Sequence, residues 1–202
     1  MKHLGIFLFT VLCTVLSVVF LDAGIALFFQ KAVTAYSPVS LQIPDLLFPF
    51  VCIITVFSWG AYLVLRHRET SMLHGRFFLV IAWTVPAAFF LKSALKQVFG
   101  RVTTRYWLYH PDIQEFRWLQ GGENYNGFPS GHMAVFAVLM CALWEWYPHF
   151  RALSLVFLLL LGFALLATDY HFLSDVIAGA YLGMITHIIA RSMIKSLDQA
   201  SC

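Results

Sequence analysis

Apolar runs close to 20 residues long recur from one end of this chain to the other, and no other feature limits its fold as tightly. A hydrocarbon slab about 30 Å thick asks for helices of about that length, with every backbone polar group satisfied inside the segment. Such runs fall at about 4–30, 46–65, 77–98, 129–147, 152–168 and 172–194. The expected fold class is all-α: a polytopic membrane protein with six transmembrane helices in one bundle, forming a single domain over residues 1–202. Composition agrees, since only 11% of the residues are charged against roughly a quarter in soluble domains.

The first run continues to about Leu21, longer than the core of a cleaved signal, so a retained first helix is expected. Asp22 then falls about 27 Å from Leu4 along a helix and reads as a solvated interfacial end. The formal charge of +3, from scattered basic residues, gives no reason to expect nucleic acid as a partner. Cys13, Cys52, Cys141 and Cys202 show no metal-ligand spacing, and three sit in apolar runs, which argues against a disulfide framework.

The connectors carry the polar residues. The segment 31–44, with Pro38 and Pro44, reads as loop, and Pro86 is expected to kink the third helix. The short basic link from Arg66 to Arg76 suits the cytoplasmic side. Six spans then place both termini in the cytoplasm and a long loop, about 99–128, on the outer face. Its interleaved aromatics, among them Tyr106, Trp107, Phe116 and Trp118, favour a lid at the membrane surface over a merely packed loop.

Two stretches carry chemistry that burial alone would not select. Phe128-Pro129-Ser130-Gly131-His132 opens the fourth run: proline suits the first helical position, and free N–H groups at a helix start attract an anion. Glycine lets backbone approach a ligand, and His132 can exchange a proton near neutral pH. Ser130 reads equally well as a simple N-cap. In His171-Phe172-Leu173-Ser174-Asp175, the acid four residues from the histidine can fix its tautomer and leave the other ring nitrogen free to attack. Lys96, His132, His171 and Asp175 share one depth in the six-span arrangement, and Arg101 and Arg105 follow. Lys96 and these arginines can neutralise a phosphate, whereas Lys92 reads as a snorkelling residue. His187, about 24 Å from His171 along the last helix, is assigned no role, and Asp169 reads as a cap.

These residues resemble the type-2 phosphatidic acid phosphatase superfamily, with its stretches K-x6-R-P, P-S-G-H and S-R-x5-H-x3-D. The second is intact as Pro129 to His132, and the end of the third is present as His171 and Asp175. The family's Arg-Pro corresponds to Thr103-Thr104, and its Ser-Arg to Ala164-Leu165. On the view that Leu165 costs phosphate affinity, Leu165→Arg is expected to tighten vanadate binding.

The resemblance implies a metal-independent, cofactor-free phosphatase acting on a membrane lipid phosphate or pyrophosphate in the bacterial inner membrane. His171 would be the nucleophile that becomes phosphohistidine, Asp175 its orienter and His132 the acid. Lys96, Arg101, Arg105, Ser130 and Gly131 would bind substrate. The same site is open to a lipid-to-lipid phosphotransferase. A metal-dependent hydrolase using His132, His171, Asp169 and Asp175, and a non-catalytic headgroup-binding membrane protein, are the other classes.

Overall fold

The computed structural model describes residues 2–32, 38–66 and 72–200, and its described residues hold helices joined by turns, one isolated bridge and no strand. The helices are α1 (Lys2–Leu16), α2 (Asp22–Ala32), α3 (Pro38–Leu65), α4 (Met72–Phe99), α5 (Thr104–Tyr109), α6 (Gly131–Trp146), α7 (Arg151–Ala167) and α8 (Leu173–Ala200). A π-helical turn, Ser17–Leu21, joins α1 to α2 without a break.

Among the described residues, five helices are long and apolar enough to cross a membrane: Leu4–Ala32, Leu46–Leu65, His74–Phe99, Pro148–Ala167 and Leu173–Ile194. Large apolar side chains such as Phe20, Val56 and Phe90 point outward from them, which suits lipid and not water as the surrounding medium. α6 is different. Its 16 residues extend about 24 Å, short of the full slab, and half of its positions are buried. It is the inner helix around which α4, α7 and α8 pack, so its polar start is recessed inside the bundle.

Several boundaries differ from those expected. Residues 38–44 continue α3 as helix instead of forming loop, and α4 runs unbroken through Pro86. Proline is tolerated there because surrounding helices and local adjustment satisfy the freed backbone groups. Residues 31–32 of the first connector belong to α2, and its remaining residues, 33–37, like 67–71 of the basic link, lie outside the described residues.

Close contact between α6 and α8 depends on small residues. A Cβ on Gly179 would stand 2.5 Å from the Ser130 carbonyl oxygen, and one on Gly183 would stand 2.4 Å from that of Ala134. Without a hydrophobic drive between helices in lipid, such backbone approach is a main source of association. Gly183→Val is therefore expected to cost at least the 1–3 kcal/mol typical of overpacking, read as a lower unfolding temperature in detergent and less monodisperse protein. A wild-type melting curve would refute it.

The loop above the bundle is tied down and is not a detached lid. Arg101 bridges to Phe116, the Val102 N–H donates to the Glu115 carbonyl (2.8 Å), and the Gly127 N–H to that of Arg101 (2.9 Å). Gly100 takes φ +50°, where a Cβ would meet the Arg117 carbonyl oxygen at 2.0 Å. Val102, Trp107 and Tyr125 then pack with Ala26 and Phe172, which fastens the loop to both α2 and α8.

Candidate active site

Tertiary packing brings the two polar stretches together. The Ser130 N–H donates to the Asp175 carbonyl (3.0 Å), which locks the start of α6 against the first turn of α8. Between them lies a cavity of about 220 Å³ whose lining includes Lys92, Lys96, Arg105, Gly131, His132 and His171. The His132 ring stands 5.8 Å from that of Tyr170, and Tyr170 stands 5.4 Å from that of His171, centroid to centroid. Thus both imidazoles, three cations and a helix start face one space.

His171 sits in the turn before α8 and is buried. Its Nδ1 lies 3.5 Å from Asp175 Oδ2, close but still long for a hydrogen bond. The same Oδ2 accepts from the Phe172 N–H (3.0 Å), the return half of a capping box, so the helix start itself orients the carboxylate. Burial pushes the His171 pKa below its ordinary value; Asp175 opposes the shift, while Lys96 and Arg101 reinforce it. The ring is therefore neutral at physiological pH, as a nucleophile must be.

Arg101 is placed differently from the substrate-binding role expected of it. It is fully buried and absent from the cavity wall. Its Nη1 donates to Asp175 Oδ1 (2.7 Å) and to the Ser174 hydroxyl, and its Nη2 donates to Asp22 Oδ2 (2.8 Å). Phe116 and Phe172 lie against its guanidinium, at 5.1 and 4.4 Å. Asp22, expected to be solvated, is instead 3% exposed, because the helix carrying it packs against α8 and presents the acid to this arginine.

Ser130 is also set back. It is fully buried, its hydroxyl accepts from the Met133 N–H (3.4 Å), and it is the N-cap of α6, which leaves Pro129 ahead of the helix and not at its first position. Arg105, from α5, does reach the cavity: its Nη2 donates to the Thr168 carbonyl (3.2 Å), and its guanidinium lies 4.9 Å from the Tyr170 ring centroid. Leu165 packs with Met133 and Val176 in an apolar cluster. Leu165 itself is buried and absent from the cavity wall, so an arginine at this position must leave that cluster to reach a phosphate.

Sequence reasoning left six of the cavity residues unassigned, Lys92, Asn126 and Tyr170 among them. Lys92, read as snorkelling, lines the cavity with its methylenes against Gly131, and its i, i+4 relation to Lys96 was the available signal. Asn126 and Tyr170 also line it, and nothing local marks them. His187, on α8, lies beside the far end of α6, 3.0 Å from Glu145. Among the described residues, no three His, Cys, Asp or Glu side chains gather as a metal-binding set.

The sequence profile of the PAP2 superfamily matches residues 77–198. The chain belongs to the PAP2 superfamily. The match includes every cavity residue named above except Leu47 on α3, which also lines the space, and it begins well after Asp22. Two solved structures of the fold are similar to this PAP2 chain. The crystal structure of Aquifex aeolicus LpxE is 18% identical with a TM-score of 0.50, over 82% of this chain and 93% of that one. The crystal structure of the first transmembrane PAP2 type phosphatidylglycerolphosphate phosphatase from Bacillus subtilis is also 18% identical, with a TM-score of 0.56 over 96% of each chain. No curated protein matches significantly.

Proposed function

We propose that this PAP2 protein is a lipid phosphate phosphatase working through a phosphohistidine. The single observation behind the proposal is the shared cavity, in which a neutral, acid-backed His171 and a second imidazole, His132, face the same three cations. His171 Nε2 attacks phosphorus as the bond to the lipid oxygen breaks, and His132 gives that oxygen its proton. Water, deprotonated by His132, then attacks the phosphorus, the P–N bond breaks, and inorganic phosphate leaves. Lys92, Lys96, Arg105 and the Gly131 amide hold the equatorial oxygens, where charge stabilisation contributes most of phosphoryl-transfer catalysis. Asp175 spends one oxygen on Arg101 instead of offering it to the cavity, which fits chemistry without a metal.

A membrane lipid suits this reading because the outward faces of the bundle are apolar, leaving the cavity reachable from headgroup level. In the same proposal α6 is a sixth crossing of a bacterial inner membrane. Arg66, Arg76, Arg151 and Arg191, near the helix ends remote from the cavity, then face the cytoplasm with both termini, and the site faces outward.

The test is phosphate release from glycerolipid, isoprenoid and saccharolipid phosphates, with acid-quench trapping of an acid-labile phosphoenzyme and with chelator added. Release that survives chelation, with a trapped phosphohistidine, is expected. Label passing to a second lipid would make the protein a transferase, and no release from any substrate would leave it a binder. Because the depressed His171 pKa keeps the nucleophile neutral as pH falls, the acid limb of kcat/KM is expected below pH 6.5. An acid limb above that value would contradict the assignment.

A further inference from the structure

α8 starts at a residue that cannot cap it. Phe172 occupies the N-cap position, where a serine, threonine or aspartate would normally accept from the first free N–H groups. A carboxylate from another helix takes that place: Asp22 Oδ1 accepts from the Ser174 N–H (3.0 Å), and Oδ2 accepts from the Ser174 hydroxyl and from Arg101 Nη2 (2.8 Å). Arg101 reaches on to Asp175 Oδ1 at 2.7 Å, and Asp175 Oδ2 faces His171 Nδ1. These five side chains, Asp22, Ser174, Arg101, Asp175 and His171, are each at most 4% exposed. Asp22 is the first residue after the π-helical turn, and such turns often sit at functional positions because they re-aim the residues that follow.

We propose that Asp22 is a positioning residue of the reaction, acting through Arg101 on the Asp175–His171 pair; the proposal rests on the phosphohistidine reading above. Arg101 is compensated from both sides, by Asp22 and by Asp175, so the buried group as a whole carries one negative charge beside His171. That charge matters when the His171–phosphorus bond forms, because the imidazole then becomes cationic. With Asp22 neutralised, Asp175 is the one close carboxylate left to Arg101, Glu115 standing off at 3.7 Å, and the stronger draw on Asp175 weakens Oδ2 as a partner for Nδ1–H. The phosphate is held elsewhere, by Lys92, Lys96 and Arg105, and none of these is among the partners of Asp22 described above. The effect therefore falls on kcat and not on KM. It also falls on the pH profile, where the groups acting on His171 are Asp175, Lys96 and Arg101, with His132, Lys92 and Arg105 across the cavity.

The experiment compares Asp22→Asn and Asp22→Glu with wild type at equal amounts of folded protein in detergent. Asparagine keeps an oxygen to accept from Ser174 N–H, so a role limited to capping α8 or tying the first helix to it leaves kcat per folded molecule unchanged. The proposal instead expects kcat for Asp22→Asn to fall about 10- to 100-fold with KM unchanged or lower, and the acid limb to move to lower pH. Asp22→Glu, which restores the charge, is expected to recover part of the loss. Wild-type kcat and an unmoved acid limb for folded Asp22→Asn overturn the proposal. If Asp22→Asn does not fold, Asp22→Glu alone decides: its displaced carboxylate is expected to lower kcat about tenfold at constant KM, and a wild-type kcat rejects the proposal. A wild-type protein that releases no phosphate sinks the phosphatase reading first, which keeps the two failures apart.

Discussion

His171→Ala is expected to abolish phosphate release, with kcat falling on the order of 10³-fold or more while the protein folds normally. Removing a covalent nucleophile takes away the intermediate itself, and losses of that size or greater are usual when the group that makes the bond is gone. Folding should be spared because His171 lies in a turn, and its nearest polar partner, Asp175, keeps Arg101 and the Phe172 N–H after the ring is removed. The informative measurement pairs phosphate release with the acid-quench assay and a melting curve. Full loss of the phosphoenzyme with an unchanged melt supports the assignment. A variant that still accumulates labelled enzyme would move the nucleophile to another residue, His132 first.

Arg101→Ala is expected to act mainly on stability. Its guanidinium is enclosed between Asp22, Asp175 and Ser174, with Glu115 Oε2 at 3.7 Å. Deleting one partner of a buried ion pair commonly costs about 3–5 kcal/mol, because the charge left behind has neither water nor a counter-ion. Here two carboxylates are left behind, on different helices. A large drop in unfolding temperature and in folded yield should therefore accompany the loss of activity. Lysine is expected to rescue only part of it, since a point charge cannot bridge the two acids as the planar fork does. An Arg101→Ala protein that melts like wild type and loses only substrate affinity would return Arg101 to the phosphate-binding role assigned from sequence.

The two arginines after α4 show why part of the site was legible and part was not. Lys96, Pro129 to His132, His171 and Asp175 stand out because polar residues at the mouths of apolar runs need an explanation that burial does not supply. Arg101 and Arg105 look alike by the same criterion, four residues apart in one loop. Which of them faces the cavity depends on α5, which turns Arg105 toward Tyr170, and on the bridge to Phe116, beside which Arg101 is buried. Lys92 and Ser130 make the same point in opposite directions: one assigned to the interface lines the cavity, and one assigned to substrate caps a helix.

By itself the sequence determined the helical membrane class, the near-boundaries of the apolar segments, and which histidines and which acid stand together at one end of the bundle. Those features are local, because hydrophobic run length, helix-start residues and the four-residue spacing of His171 and Asp175 act over one or two turns. The tertiary structure alone decided which charges face the cavity and which hold its floor. Asp22 and Arg101 are 79 residues apart, and Arg101 and Asp175 are 74 apart. Their pairing exists only because the first helix packs on α8 and the loop after α4 closes over both. Ion pairing at that separation leaves no periodicity to read, since its geometry is set by helix packing and not by neighbours in the chain.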